Sequence, residues 1–331
     1  MVHDLNTLTD ILEKRFSTNS PFSLLRMPNS EKVIENGEVA LIPFNASWSE
    51  RFQIDEQGDS LDIFFESTEK SEYLKNIHRL ISELKSNGNK VVISRVINGN
   101  ISNDEQKRLP LAITELIKAN PYAFALVIRS TRGGLWVIIS PELLLKETEV
   151  SFETVALAGT RSNGTETDWD KKNIREQRYV TDYILKKWQS VGLSPEEGTT
   201  HTLKAGKVEH ICTPITAQKS GIHIEKIIDS MNPTPAVCGA PQEYALEKIK
   251  HIENHKRLLY AGATVVLDEN GNHSVFVNLR CFHLNRDGRY NIFVGGGITG
   301  DSSPEDEWNE TEMKAQQLLD CLHSNNSNDN N

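Results

Sequence analysis

LLYAGATVVLDENGNHSVFVNLRCFH, residues 258–283, decides the fold class of this chain. Two apolar, β-branched runs, 258–267 and 273–283, flank Asp268-Glu-Asn-Gly-Asn272. Asn-Gly between such runs is a strong signal for a tight hairpin turn. The pattern recurs upstream. Residues 123–129 and 135–139 pair across Ser130-Thr-Arg-Gly-Gly134, another strand pair surrounds 150–158, and 199–203 neighbours 208–213. KVVISRVI at 90–97 and the short run 291–294 supply further strands.

Helices are expected at 6–16, 68–86, 111–119, 169–191, 222–231, 241–254 and 304–322, where apolar residues recur on one helical face. Asn87-Gly88-Asn89 stops the second of these by turn chemistry. Strands thus fall beside one another instead of alternating with helices. The expected fold is α+β, one large unit of mostly antiparallel sheets with a β-sandwich-like core surrounded by helices, and not a parallel dinucleotide-binding design.

Composition narrows the function classes. The 331 residues carry a formal net charge of −10 with no basic stripe, which argues against nucleic acid or an anionic membrane as partner. No run is long enough to span a bilayer. The opening MVHDLNTLTDILEKRF is an amphipathic helix with acids, unlike a signal peptide. Cys212, Cys238, Cys281 and Cys321 show no CxxC spacing, so neither zinc nor a disulfide framework is implied. A cytoplasmic monomer or weak homodimer is expected. Its expected organisation is a short N-terminal segment (1–85) packed on a larger unit (86–323), with a disordered Asn/Ser/Asp tail at 324–331.

The stretch 295–314, GGGITGDSSPEDEWNETEMK, is the most suggestive for chemistry. Three glycines close a strand before an acidic helix, and bare backbone N–H groups beside a helix start can hold an anion. Glu307, Glu310 and Lys314, at i, i+3 and i+7, share one helical face. They form either a solvated Glu–Lys set or part of a site for a hard cation and a carboxylate.

Four other residues carry a similar choice. Lys90 opens an apolar strand, either snorkelling to water or desolvated as a general base. Glu142, among leucines in SPELLL, is either a carboxylate at the lip of a turn or an acid whose raised pKa suits it to donate a proton. Glu176 has Val180, Tyr183 and Ile184 at i+4, i+7 and i+8, and so borders the buried face of its helix, as a rim acid or a cation ligand. Arg280 ends a strand and either meets solvent or clamps a carboxylate, with Tyr260 on the partner strand adding a hydroxyl.

Read together, KVVISR (90–95), SPELLL (140–145), ALAGTR (156–161), REQRYVTD (175–182), HICTPI (210–215), NPTPAVCGAP (232–241), RLLYAGATV (257–265), VNLRC (277–281) and FVGGGI through EDEWNETEMK (293–314) resemble the chorismate-utilising enzymes. That family includes isochorismate, salicylate, anthranilate and aminodeoxychorismate synthases. The resemblance covers residues 90–322 and implies chorismate as substrate and Mg2+ as cofactor. It further implies Lys90 as the base activating water, Glu142 as the acid protonating the departing hydroxyl, and Glu176 and Glu310 as metal ligands with Glu307 in support. Tyr260, Arg280, Gly295 and Gly297 correspond to the pocket for the pyruvyl carboxylate. Gly159, Thr160, His210, Ala236 and Lys314 correspond to other substrate contacts.

Ala158 stands where aminodeoxychorismate synthases place a lysine nucleophile, and the proline-rich loop with Lys90 resembles the water-using branch. The resemblance therefore implies an isomerase, isochorismate synthase, serving menaquinone or siderophore synthesis. Salicylate synthase is the runner-up and anthranilate synthase component I is third. Two departures stand out: Asn232 in place of the usual histidine, and Thr216-Ala217 in place of Glu-Gly.

Overall fold

The computed structural model describes residues 1–18, 20–52, 62–131, 133–164, 167–205 and 208–323, with backbone alone at 160, 162, 172, 205 and 208. The stretch 324–331, expected to be disordered, lies outside the described residues. In chain order the strands are β1 (Val2–Asp4), β2 (Phe22–Arg26), β3 (Lys32–Glu35), β4 (Val39–Ile42), β5 (Lys90–Asn100), β6 (Phe124–Ser130), β7 (Gly134–Ser140), β8 (Leu143–Glu147), β9 (Ser151–Ser162), β10 (Glu196–Glu197), β11 (His201–Ala205), β12 (Val208–Gln218), β13 (Gly239–Ala240), β14 (Ala263–Leu267), β15 (His273–Val277), β16 (Cys281–Leu284) and β17 (Arg289–Ile298). The helices are α1 (Leu8–Phe16), α2 (Lys70–Asn87), α3 (Asn103–Ala119), α4 (Lys171–Ser190), α5 (Ile224–Met231), α6 (Gln242–Ile252) and α7 (Pro304–Leu322).

Two antiparallel sheets form, as the adjacent hairpins predicted. One has nine strands in the order β1-β3-β2-β6-β7-β16-β17-β5-β13. The other has eight, β10-β12-β9-β8-β15-β14-β4 with β11 beside β12. Their inner faces pack together: Val96, Leu126, Trp136, Ile138 and Phe293 of the first meet Leu145, Phe152, Val265, Val275 and Phe276 of the second. Phe124 and Phe276 stack across the gap with ring centroids 4.2 Å apart. The outer face of the larger sheet buries against α1, α3 and α7 in one cluster and against α2 and α6 in another. Strands β1 to β3 extend the larger sheet and β4 the smaller one, so the first 42 residues contribute to both layers.

Three expectations change. The third helix begins at Asn103, not 111, because Ser102 and Glu105 make a reciprocal capping box and Pro110 is tolerated inside the helix. The run 273–283 is not one strand. β15 ends at Val277, and Cys281 opens β16 in the other sheet, so Asn278, Leu279 and Arg280 form a crossover. Finally, the glycines 295–297 lie within β17, opposite Ser94, Ile93 and Val92 of β5, rather than closing a strand.

Candidate active site

The site begins where the chain passes between sheets. β7 ends at Ser140 in the larger sheet and β8 starts at Leu143 in the smaller one, leaving Pro141 and Glu142 as the bridge. The Asn278–Arg280 crossover runs beside it. Val277 donates its N–H to Glu142 O at 3.1 Å, Ile139 donates to Arg280 O at 3.2 Å, and Ser140 Oγ donates to Val277 O. A third segment, 258–262, joins them through Ala261 N–H to Asn278 O and Asn278 N–H to Gly262 O, both 2.8 Å. Leu258, Ala261 and Arg280 all adopt left-handed backbone, at φ of 52°, 61° and 45°. Non-glycine residues so placed are strained, and such strain persists where surrounding contacts over-determine it. Glu142, Tyr260 and Arg280 therefore share one corner of the sandwich. Tyr260 reaches it from a turn, not from the partner strand expected.

Lys90 faces this corner from the start of β5. A positive charge at Lys90 bears on Glu142, although burial wins and pushes the Glu142 carboxyl up to about 7. Beside Lys90, β17 is built of glycine because there is no room for more. A β-carbon on Gly297 would stand 2.8 Å from Lys90 Cε, one on Gly295 2.9 Å from the Tyr260 hydroxyl, and one on Gly296 2.7 Å from Glu307 Oε2.

The glycine amides also have a direction. Ser94 N–H donates to Glu253 Oε1 and Val92 N–H to Cys238 O, so both point away from β17. In an antiparallel ladder the opposed residues do likewise. Gly295 and Gly297 thus turn their N–H and C=O groups away from β5, toward the side where β16 begins only at the Cys281–Phe293 pair. The anion cradle read from the sequence is accordingly an open strand edge, not a helix start.

α7 lies over that edge. Trp308 fixes it, packed against Tyr73 at 5.3 Å and under the Arg95 guanidinium at 3.8 Å, while Arg95 Nε donates to Thr311 Oγ1 at 2.7 Å. Glu307, half-buried above Gly296, accepts from Ser302 Oγ at 2.8 Å. Desolvation and then neighbouring Glu310 raise its carboxyl pKa, against the Ser302 bond that lowers it. Lys314 Nζ pairs with Glu310 at 2.5 Å and donates to Gly295 O at 2.9 Å. Both members of that pair are exposed.

Cationic and phenolic groups complete the corner. Burial pushes the Tyr260 phenol pKa upward, keeping its hydroxyl a donor. Desolvation pulls the Arg280 guanidinium down from its ordinary value, yet arginine stays charged, and it meets no carboxylate among the described residues. Arg280 is exposed and has no carboxylate partner among the described residues, and a cation so placed beside bare amides suits an anionic ligand.

Other expected residues stand apart from this group. His210 Nδ1 lies 3.1 Å from Gly159 O at a bulge, where β12 shifts register against β9. Gly159, at φ 72°, leaves room for Asn173 of α4. Thr160 continues β9, its side chain outside the described residues. Ala236 is exposed in the proline-rich loop. Glu176 is exposed on α4, at the rim of a buried face to which Val180, Tyr183 and Ile184 belong. The buried stripe is Gln177, Thr181, Ile184 and Trp188. Asn232 donates to Ala46 O at 3.0 Å and Pro43 O at 3.4 Å, so its amide ties down a neighbouring segment. Thr216 and Ala217 sit inside β12, opposite Glu153 and Phe152.

Carboxylate oxygens are the donors a hard cation prefers, and magnesium is commonly held by one or two of them together with substrate oxygens and water. Glu307 and Glu310 provide an adjacent pair. Among the described residues no group of three or more His, Cys, Asp or Glu side chains converges as a metal cage, and Glu176 stays on the separate helix α4. The donor set fits a shared protein–substrate cation better than a dedicated protein site. Reasoning from sequence missed Glu253, His255 and Arg257 behind β5. Glu253 and Arg257 lie at i, i+4, but their burial was not visible from spacing.

The family described as "Chorismate binding enzyme" matches residues 42–323. The chain belongs to the chorismate-binding enzymes. Isochorismate synthase MenF of Pasteurella multocida is 32% identical over 234 residues, spanning 65% of this chain and 54% of that protein. Isochorismate synthase EntC of Escherichia coli K12 is 30% identical over 253 residues, 70% of this chain and 62% of that one. The chain thus spans a little over half the length of these curated relatives. Among solved structures, MenF, the menaquinone-specific isochorismate synthase of Escherichia coli, superposes with a TM-score of 0.76 at 18% identity, covering 98% of this chain and 94% of that one. That likeness shows the shared fold. No helix among the described residues is long and apolar enough to cross a membrane.

Proposed function

We propose that this chorismate-binding enzyme is an isochorismate synthase, an isomerase that adds water at C2 of chorismate as the C4 hydroxyl leaves. Lys90 takes a proton from the attacking water, and Glu142 donates one to the departing hydroxyl. The ring gains one hydroxyl and loses another, so the reaction needs no oxidant. The observation that carries this reading is the Lys90–Glu142 pair across the crossover corner, with the carboxyl held up to about 7 and therefore able to donate near neutral pH.

Substrate anions have matching groups. Arg280, Tyr260 and the open amides of Gly295 and Gly297 would take the pyruvyl carboxylate. Glu176 and Glu310, with Glu307 behind them, would hold Mg2+ against the ring carboxylate. When bound, the metal would neutralise that carboxylate and orient the ring. Gly159, Thr160, His210, Ala236 and Lys314 would complete the pocket. The relatives named isochorismate synthase MenF and EntC support the reaction, and menaquinone synthesis is the pathway proposed for it, with siderophore synthesis second. Residues 86–323 would form the catalytic unit, with 1–85 packed on it, in a cytoplasmic monomer or weak homodimer.

Incubation of the purified chain with chorismate and Mg2+, followed by chromatography, tests the reading. Isochorismate should accumulate, and Lys90→Ala and Glu142→Gln should each abolish turnover. Salicylate fluorescence from this chain alone would favour salicylate synthase. Full activity in either variant would refute the assigned acid–base pair.

A further inference from the structure

Behind β5 lies an ion pair that the proposed reaction does not use. The Arg257 and Glu253 side chains are each only 2% exposed. Glu253 accepts from Arg257 Nε at 2.9 Å, from Arg257 Nη2 at 2.6 Å and from the Ser94 N–H at 2.7 Å. The rest of the guanidinium fork goes to backbone carbonyls: Val92 O at 2.7 Å and Val237 O at 2.7 Å. Arg257 also accepts the Tyr260 N–H on its own carbonyl at 2.9 Å, and its guanidinium stacks on Phe44 at 4.3 Å.

Burying such a pair is expensive, and apolar replacements are often as stable, so stability alone is a weak reason for it. Its bonds point instead to three parts of the site. Val92 is two residues from Lys90, Val237 follows Ala236 in the proline-rich loop, and Tyr260 lays its hydroxyl over Gly295. We propose, resting on the reading above, that Arg257 is a positioning residue. Its planar fork fixes the spacing between the Lys90 strand, the substrate loop and the Tyr260 turn, with Glu253 locking the fork's remaining edge. A lysine ammonium has one donor centre and cannot span acceptors on separate segments in one plane.

The test uses the full chain with Mg2+ and chorismate, comparing Arg257→Lys and Glu253→Gln with the parent. Steady-state kinetics and hydrogen exchange are measured on each. Arg257→Lys should lower kcat/KM on the order of 100-fold, as expected for misplacement of about 1 Å, with kcat falling and KM rising. Exchange should quicken in residues 90–94 and 236–240 while α1 and α3 keep parental rates. A merely structural role would instead speed exchange throughout and leave kcat/KM per folded molecule intact, which would overturn the proposal. Should Arg257→Lys not fold, Glu253→Gln carries the test, because it retains the two carbonyl bonds; a loss of about 10-fold with the same local exchange is expected. Parental kcat, KM and local exchange in the folded variant also refute it. If the parent itself fails to consume chorismate, the functional reading falls, and the exchange pattern alone decides whether Arg257 holds the three segments.

Discussion

Gly297 lies directly beneath the Lys90 side chain: a β-carbon there would stand 2.8 Å from Lys90 Cε and 3.5 Å from Nζ. The glycine is thus part of how the lysine is aimed. Gly297→Ala should displace the flexible amine rather than the backbone. Turnover of chorismate should fall 10- to 100-fold, roughly the effect of ångström-scale misplacement, while thermal unfolding changes little. Steady-state kinetics beside a melting curve would show it, and unchanged kcat would mean Lys90 is not held by this contact.

Glu142 makes activity and stability oppose each other. Its carboxyl sits at about 7 in the fold because burial disfavours the charge, against 4.5 ordinarily. A general acid must be protonated, so kcat should decline as pH rises past about 7. The folded chain also binds this proton more tightly than the unfolded chain. Its stabilising effect is complete below about 4.5 and lost as pH rises through about 7. At about 1.4 kcal/mol per pH unit, the loss is roughly 3 kcal/mol. Glu142→Gln should be inactive yet melt higher than the parent at pH 8, with the difference closing by pH 5. A parent that melts higher at pH 8 would contradict this.

The acids of α7, together with Glu176 of α4, predict a metal response. Glu310→Gln and Glu176→Gln should each raise the Mg2+ concentration needed for half-maximal turnover by about 10-fold or more. Gly296→Ala, whose β-carbon would crowd Glu307 Oε2 at 2.7 Å, should do so more mildly. Chelation should remove activity and added Mg2+ restore it. Equal Mg2+ curves for parent and variants would exclude these carboxylates as ligands.

Asn232 supplies a stability prediction. Asn232→Ala strips donors from Ala46 O and Pro43 O, which should cost about 1–2 kcal/mol and a few degrees of melting temperature. A kinetic defect without loss of stability would instead place this amide against substrate.

Fold class was legible because hairpin signals are local. The Asn-Gly turn and the alternation of β-branched residues act within a few positions, and the helix over Pro304–Leu322 follows from its cap and period. What was misread depended on partners. Arg280 looks like a strand end because its neighbours are β-branched; it is a left-handed crossover because β15 and β16 belong to different sheets. Spacing places Glu176 at the border of the buried face of α4, but that Gln177, Thr181 and Trp188 carry the docking depends on the strands packed beneath them.

The residue types of the site, a lysine, acids, an arginine and clustered glycines, were determined by the sequence itself. Tertiary structure decided their environment. Lys90 and Glu142 are 52 positions apart (142 − 90) and come together only when two sheets close on one another. Likewise, the Gly295–Gly297 edge is open only because β16 starts at Cys281. Desolvation and strand-edge exposure are properties of packing against distant segments, so no local window of sequence contains them.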